Sequence, residues 1–280
     1  MNYKKKSIVF FVTIICLLIS IVFIAYRYVG GGSKEIKAAK KFIAMLYSED
    51  IVSESEELDK IVYESSKKND INNESEYYIV NTRDFGIDVD NEYRVIGFKN
   101  KVSTLGQTKV SEEESIAIAE KFLDKIYKGD VKFKNFIVPE TKDIPYYSLS
   151  FSKFEDGYQF YNDEIIINID KEKGKLDGYS NISKLKDTKR VKINISEKEA
   201  ENIALKKLED LSGNSEILDK TFMAFYESKD KKETELCYVV SMISDGNDMK
   251  DTKWKYFVST ESGEIINIIK DTVSETKALK

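Results

Sequence analysis

The sequence predicts an α+β protein in which an N-terminal transmembrane helix is followed by tandem units, each a helix packed on an antiparallel sheet. Three observations lead to this fold class. An uncharged apolar run lies near the N-terminus of the 280-residue chain. An amphipathic helix pattern occurs three times, and each copy is followed by extended segments that end in a turn rich in aspartate or glycine. Repetition of one packing unit is typical of a scaffold rather than of an active site.

The first element is the predicted membrane anchor, which with its short tail occupies residues 1–29. Residues 8–25 carry no charge, and about 20 apolar residues in a helix span a bilayer core of roughly 30 Å. Three lysines at positions 4–6 precede the run, so the positive-inside bias predicts a cytoplasmic N-terminus and an extracellular remainder. A cleaved secretory signal is the alternative, but residues 25–27 form a poor cleavage site.

The composition of the external part excludes several classes of function. Residues 30–33 form a glycine linker, and beyond residue 32 the chain keeps 40 of its 44 basic residues and all 49 acidic ones. Such a negative surface is a poor match for nucleic acid. The absence of histidine excludes Ser-His-Asp and Cys-His catalysis and histidine zinc sites. Because Cys16 lies in the predicted span, Cys237 has no disulfide partner within the external part.

Residues 34–107 are predicted to form the first, divergent α+β unit. Its helix covers Lys34–Tyr47, because apolar residues recur there on one helical face. A second, short helix is predicted around residues 58–62, where three apolar residues have helical spacing. Asn91 is expected to form the last turn of this unit. The predicted strands are Tyr77–Thr82, Gly86–Asp90 and Tyr93–Phe98.

Residues 108–189 form the second predicted unit. It opens with Ser111-Glu112-Glu113-Glu114, a capping box in which the serine and the last glutamate bind free helix amides. The helix is expected to end at Gly129. Residues 147–152 alternate apolar or aromatic side chains with serines, which predicts a half-buried strand with one solvent-facing side. The predicted strands are Tyr146–Phe151, Glu164–Asp170 and Lys175–Tyr179.

Residues 190–280 form the third predicted unit. Ser196-Glu197-Lys198-Glu199 is again a capping box, and Ala204 stands in this helix where the second helix has Ala119. Gly174 and Gly263 lie at equivalent positions in two hairpins whose turns need a positive φ. The predicted strands are Lys220–Glu227, Glu235–Ile243, Lys253–Ser259 and Glu264–Ile269.

These helix and hairpin motifs carry a resemblance to known families. A helix that opens with Ser-Glu-x-Glu and has a central alanine, followed by strands and a hydrophobic-x-hydrophobic-Asp-x-x-x-Gly-x-hydrophobic hairpin, resembles PepSY-like domains. The stretch from Tyr147 to Asn181 is similar to YcdB/YcdC-type repeats and to the C-terminal part of YpeB-type germination proteins. The resemblance implies small external α+β units that inhibit, chaperone or stabilise an extracellular hydrolase, with no catalytic residues to assign. The overall layout is also similar to YycI-type regulators of sensor kinases.

Two short motifs suggest chemistry, but both lack a required part. Asp88–Glu92 alternates carboxylates as a calcium loop does, yet Tyr93 stands where the EF-hand needs glycine. Ser65–Lys68 fits the Ser-x-x-Lys pattern of serine acyl enzymes without the Ser-Asp-Asn and Lys-Thr-Gly elements of such sites. Acidic pairs such as Asp163-Glu164 occur in glycosidases, but in so acidic a chain they are typical of a solvated surface. We therefore expect neither a metal nor a cofactor.

A cluster of aromatic residues between positions 146 and 161 supplies the candidate partner-binding side chains, which are Tyr146, Phe154, Tyr158 and Tyr161. Exposed tyrosines suit glycans and partner proteins, because the ring is apolar and its hydroxyl is polar. Packing in the core is the alternative, since strand alternation explains half of the aromatics in this stretch.

Together these features predict a bacterial, single-pass, extracytoplasmic regulatory protein that works by binding and without catalysis. It is expected to modulate a cell-envelope hydrolase or protease, and its predicted partners are the membrane and a protein of the envelope. Two alternatives stay open at this point. One is an extracytoplasmic regulator of a sensor kinase or a sensor of a wall ligand. The other is an envelope hydrolase that uses carboxylates alone.

Overall fold

Three helices and 13 strands are formed by the residues that the computed structural model describes, which are 33–53, 57–70, 75–103, 106–138, 143–181, 188–227, 233–244 and 252–271. The helices are α1 (Lys34–Ser48), α2 (Glu112–Ile126) and α3 (Glu197–Ser212). The strands are β1 (Glu64–Asp70), β2 (Ser75–Asn81), β3 (Phe85–Asp90), β4 (Val95–Asn100), β5 (Asp130–Phe136), β6 (Tyr146–Glu155), β7 (Tyr158–Asp170), β8 (Leu176–Ser180), β9 (Ser215–Ile217), β10 (Phe222–Glu227), β11 (Thr234–Ser244), β12 (Thr252–Ser259) and β13 (Ile265–Asp271). This content confirms the α+β class.

Contacts within the chain divide it into two units. Of the described residues, the first contains those from 33 to 125 together with 136–149 and 166–181. The second contains those from 126 to 135, 150 to 165 and 188 to 271. Strands β6 and β7 therefore contribute residues to both. The three units expected from the sequence are a finer division, and their boundaries stay a prediction.

In the first unit the helices lie on an antiparallel sheet with the order β1-β2-β3-β4-β8-β7. Strand β3 alternates buried and half-buried residues along its length, as a strand with one covered face does. The ring centroids of Phe42 on α1 and Phe98 on β4 are 5.8 Å apart, and those of Phe122 on α2 and Tyr179 on β8 are 5.7 Å apart. The apolar stripes predicted for both helices are therefore the buried faces. The buried residues of the α1 stripe are Ala39, Phe42, Ile43, Leu46 and Tyr47.

In the second unit α3 covers a sheet with the order β7-β10-β11-β12-β13, and β9 pairs with β11. One neighbouring pair is parallel, since Ala224 and Phe225 of β10 lie beside Gln159 and Phe160 of β7. This pair corrects the prediction of purely antiparallel sheets. A parallel pair joins strands that are distant in sequence, so it cannot be predicted from a local turn motif. The core beneath α3 consists of Ala200, Ala204, Leu208, Tyr238, Val240, Met242, Tyr256 and Val258.

The start of each capped helix is built in the same way. The Ser111 N–H donates to Glu114 Oε2 at 2.8 Å and the Glu114 N–H donates to Ser111 Oγ at 3.2 Å, and Ser196 and Glu199 repeat this exchange at 2.7 and 3.3 Å. Both predicted capping boxes are confirmed. A tyrosine of the sheet also donates a hydrogen bond to the carbonyl of the residue before each cap. Tyr147 Oη donates to Val110 O and Tyr238 Oη donates to Ile195 O, each at 3.0 Å.

The hairpin that closes each repeat also has a common form. Gly174 and Gly263 have φ of 63° and 72°, which confirms the predicted left-handed turns. A Cβ at either glycine would lie 3.2 Å from the Cδ1 of an isoleucine in the covering helix, Ile118 or Ile203. Each of three hairpins has a register shift at the equivalent place, namely Asp88/Val89, Asn168/Ile169 and Phe257/Val258.

The turn of the first hairpin contains Asn91, as expected, and Glu92, because the Tyr93 N–H donates to Asp90 O across them at 3.0 Å. Tyr93 has a φ of 64°, and Asp90 Oδ1 accepts hydrogen bonds from the N–H groups of Glu92 at 2.9 Å and Arg94 at 2.8 Å. Strand β4 consequently begins two residues later than predicted. The acidic run stabilises its own turn, which accounts for its resemblance to a calcium loop.

The segment around residues 58–62 forms no helix, so that prediction is wrong. Leu58 and Val62 are 43% and 73% exposed, and only Ile61 is buried. The Lys60 N–H donates to Glu57 O at 2.9 Å and closes a single turn before β1 begins. An isolated turn with no apolar stripe to bury is too short to propagate as a helix.

No helix among the described residues is long and apolar enough to cross a bilayer. The predicted anchor, the cytoplasmic tail and most of the glycine linker lie outside the described residues.

The Tyr256 hydroxyl provides a test of the core beneath α3. Its oxygen is buried and has no hydrogen-bond partner within the described part of the chain, and such a group destabilises a fold. We expect Tyr256→Phe to raise the free energy of unfolding by about 1 kcal/mol in urea titrations. Tyr238→Phe is the matched control, because it removes a bonded hydroxyl and should lower stability by a similar amount. A less stable Tyr256→Phe variant would contradict this view of the core.

Candidate functional site

Strand β13 is an apolar edge strand in the second unit. It is the last strand in the order and pairs with β12 along one side, while no described strand pairs with its other side. Four of its seven residues are isoleucines, and Ile268 is 36% exposed. Exposed edges in natural proteins are commonly short, charged or covered, because free backbone N–H and C=O groups pair readily with another chain. A long apolar edge is therefore a candidate site for strand addition.

The other edge of the described strand order has the opposite character. Strand β1 in the first unit carries the sequence Glu-Ser-Ser-Lys-Lys-Asn-Asp, and its residues 64–68 are exposed. Lys67 Nζ lies 2.6 Å from Glu76 Oε2 on the neighbouring strand. Charged side chains of this kind discourage pairing with a further strand. The two edges thus differ in chemistry, and β1 serves as an internal control for β13.

Contacts on the paired side hold β13 in place. The Lys270 ammonium lies 5.4 Å from the ring centroid of Trp254 on β12, and Asn267 Nδ2 donates to the hydroxyl of Tyr226. Ile266 and Ile269 pack against a cluster that includes the fully buried Phe257. Because β13 is already ordered, it loses little further conformational freedom when a partner strand pairs with it.

Three of the four predicted partner-binding aromatics lie in the second unit, and each is half-buried. The ring of Tyr161 packs edge-on against Phe257 with centroids 4.7 Å apart, and that of Tyr158 packs edge-on against Phe225 at 6.2 Å. Lys132 Nζ lies 4.5 Å from the ring centroid of Phe154. The rings are thus partly used in packing and partly accessible, and their role in partner binding stays a prediction.

The fourth aromatic, Tyr146, belongs to the first unit. It is half-buried and lines a cavity of about 350 Å³ beside β4, β7 and β8. Its neighbour Tyr147 has a different role, because the Tyr147 hydroxyl donates a hydrogen bond to the residue before the α2 cap. The four candidates therefore do not share one environment.

The serine side of β6 is buried, which corrects the prediction of a solvent-facing side. Ser150 and Ser152 are 1% and 5% exposed. Ser150 Oγ and Lys134 Nζ both donate to the Glu164 carboxylate. Small hydroxyl side chains fit either a wet face or a covered one, so alternation alone cannot separate the two cases.

A buried ion pair accompanies these serines. Lys153 Nζ lies 2.6 Å from Asp163 Oδ1 and 5.7 Å from the ring centroid of Tyr127. Burial lowers the pKa of Lys153, and the hydrogen bond and charge of Asp163 oppose that change. Sequence reasoning missed this pair, although the Asp156-Gly157 turn, with φ of 51° and 83°, marks the hairpin that joins β6 to β7.

The structure places the remaining motifs in ordinary structural surroundings. Ser65–Lys68 lies on the exposed edge strand β1 rather than in a cleft. Lys153, beside the Asp163 carboxylate, is 1% exposed, and so covered an ammonium has no access to a substrate. Within the described ranges no group of three or more aspartates, glutamates or cysteines is arranged to hold a metal.

Two family models match the chain. Residues 49–181 match the YcdB, YcdC repeated domain, and residues 194–269 match the peptidase propeptide and YPEB domain, known as PepSY. These matches confirm the resemblance that the helix and hairpin motifs carry. The second match contains all of α3 and most of β13, so the apolar edge belongs to the PepSY-like segment.

A solved structure, the Bacillus megaterium YpeB C-terminal domain, is also similar to this chain. The likeness covers 82% of this chain and 96% of that chain, at 16% sequence identity and a TM-score of 0.49. No curated protein matches the sequence.

Proposed function

Because residues 49–181 match the YcdB, YcdC repeated domain and residues 194–269 match PepSY, we propose that this chain is a membrane-anchored extracytoplasmic regulator that binds a hydrolase or protease of the cell envelope. PepSY domains are generally linked to propeptide-like or inhibitor-like regulation of proteases. The proposal is that this protein acts by binding and performs no catalysis of its own.

The observation that carries the proposal is the apolar outer edge of β13. Addition of a partner strand there would satisfy the free backbone groups of both chains, and the isoleucines would supply apolar contacts to alternate side chains of the partner. The half-buried Tyr161 packs on the same cluster as Ile266 and Ile269, which extends the apolar surface beyond the strand. Aromatic and aliphatic anchors of this kind dominate the binding energy of protein interfaces.

The predicted anchor supports the same function, because it would raise the effective concentration of this protein near a partner in the same membrane. Two proteins held in one membrane meet at an effective concentration far above that of free partners, so an interface of modest affinity suffices. The short glycine linker at residues 30–33 would keep the external part close to the bilayer and to other membrane-bound proteins.

We expect Ile268→Lys to weaken partner capture strongly. A lysine on the outer strand places a hydrated charge where a partner strand must pair, as natural edge strands do to prevent association. In crosslinking from intact membranes, recovery of a hydrolase or protease should fall at least about tenfold, which corresponds to about 1.4 kcal/mol of binding free energy. Since Ile268 is partly exposed, the fold itself should be little affected.

Ser66→Lys is the matched control, because Ser66 lies on the charged edge strand β1 and is exposed. This variant should capture the partner as well as the wild type does. Equal capture by the Ile268→Lys protein would exclude β13 as the interface. Turnover of peptide or peptidoglycan by the purified chain itself would instead favour the carboxylate hydrolase.

A further inference from the structure

The first unit contains a cavity whose lining is unlike the apolar surface of β13. It has a volume of about 350 Å³, near the lower end of the range for small-molecule sites. Strands β4, β7 and β8 supply most of its lining, and Tyr146 of β6 forms part of the wall. The lining combines three aromatic rings, an aliphatic side chain, two amide groups, a carboxyl group, serines and lysines, so it offers both hydrogen-bond donors and acceptors.

An asparagine on β7 is the most informative residue of this cavity. The Oδ1 of Asn168 is buried and has no hydrogen-bond partner among the residues described. A Cβ at Gly178, the residue beside it on β8, would lie 2.8 Å from Asn168 Nδ2, so the amide packs directly against the glycine. Glycine inside a strand weakens it and often marks a place where another group approaches the backbone closely. Buried polar atoms without partners are uncommon and call for a functional explanation.

A carboxyl group lies in the same lining. Asp177 on β8 is 4% exposed, and its Oδ1 accepts a hydrogen bond from Ser103 Oγ. Burial and the nearby Asp170 raise the pKa of Asp177 to about 6, while Lys99 acts in the opposite direction. Groups with displaced pKa values in a cavity are enriched at functional sites.

The balance of charges indicates what kind of molecule fits. An anionic ligand would meet Asp177, and a cationic one would meet Lys99 and Lys101. A neutral molecule with several hydroxyl or amide groups avoids both conflicts, donates to Asn168 Oδ1 and accepts from the lysines. The ring of Tyr146 and the side chain of Ile166 suit the apolar C–H face of a sugar ring.

We propose that this cavity binds a neutral saccharide of one or two rings, with Asn168 Oδ1 accepting a hydrogen bond from the sugar and Tyr146 lying against its ring. The site is separate from the β13 edge and goes beyond the proposed regulation of a hydrolase. Its ligand class matches the neutral amino sugars of a bacterial wall as well as free disaccharides, which share hydroxyl groups and an apolar ring face.

The test is titration calorimetry of the purified full chain with the disaccharide of N-acetylglucosamine and, separately, with cellobiose, in a detergent that has no sugar headgroup. We expect saturable binding of at least one disaccharide at millimolar concentration. Asn168→Leu should weaken it at least tenfold without lowering the melting temperature, since the replaced oxygen has no partner in the fold. Asn162→Leu, on the exposed part of the same strand, is the control and should bind normally.

Tyr146→Leu is the second variant, in case Asn168→Leu disturbs folding. It keeps a half-buried apolar side chain and should still weaken binding severalfold. The proposal is overturned if the wild type binds neither disaccharide, or if both variants bind as the wild type does. Ile268→Lys should leave the titration unchanged and Asn168→Leu should leave partner capture unchanged, so the two proposals fail independently.

Discussion

Replacement of Asp163 by alanine is expected to lower the free energy of unfolding by roughly 3 kcal/mol. The change leaves the Lys153 ammonium, which is 1% exposed, without the carboxylate that lies 2.6 Å away. Breaking a buried pair from one side costs about 3–5 kcal/mol, because the charge that stays in the interior loses the opposite charge beside it. We expect the lower end of that range, since the Asp163 side chain is 18% exposed. Urea titration of the purified variant measures the effect.

The double variant Lys153→Met with Asp163→Leu removes both charges and so separates the loss of the ion pair from the cost of one buried, unpaired charge. Replacement of both charges by apolar groups of similar size is often neutral or stabilising, so this protein should be clearly more stable than Asp163→Ala. Asp130→Ala, at an exposed acid at the start of β5, is the surface control and should change stability by less than about 0.5 kcal/mol. An Asp163→Ala variant as stable as this control would contradict the buried pair.

Asp177 is expected to make stability depend on pH. Its pKa of about 6 in the folded protein lies above the ordinary value of 3.8, so the folded state holds the proton more tightly than the unfolded state does. The resulting stability is fully present below about pH 4 and is lost as the pH rises through about 6. A displacement of this size corresponds to roughly 2 kcal/mol once partial screening by solvent is allowed for.

Asp177→Asn tests this dependence, because the amide does not titrate and still accepts from Ser103 Oγ. The other ionisable residues are common to both proteins, so the difference between the two unfolding free energies reports on Asp177, including its interaction with Asp170. As the pH rises from 4 to 7, the free energy of unfolding of the variant should increase by roughly 2 kcal/mol relative to that of the wild type. A constant difference across that range would show that Asp177 titrates as an ordinary aspartate.

Local patterns predicted the helices and most strands well. The stripe on α1, the two capping boxes and the turns at Gly174 and Gly263 each depend on residues close together in sequence, so periodicity and turn chemistry identify them. The helix predicted around residues 58–62 was wrong because its formation depends on contacts outside the local sequence. Three apolar residues imitate a helical stripe, but nothing in a local pattern says whether a sheet is present to cover them.

Features that depend on distant parts of the chain were not predictable. The parallel neighbours Phe160 and Phe225 lie far apart in sequence, and the burial of Ser150 and Lys153 depends on which elements cover β6. The left-handed φ of Tyr93 also escaped prediction, because aromatic residues adopt it rarely. In each case tertiary contacts override the local preference.

The candidate sites show the same division. Tyr146 was identified from the aromatic cluster, but Asn168 was not, since its buried oxygen becomes meaningful only beside Gly178 and Asp177. The isoleucines of β13 are visible in the sequence, yet only the order of the strands shows that they form an edge.

The central claim is that the outer edge of β13 binds a partner protein of the envelope. A photo-reactive amino acid placed at Ile268 of the full chain, in intact membranes, tests it most directly, with the same substitution at Ser66 for comparison. The account predicts crosslinks to a hydrolase or protease from position 268 and none from position 66. Crosslinks to such a protein from position 66 alone, or the same yield from both positions, would contradict it.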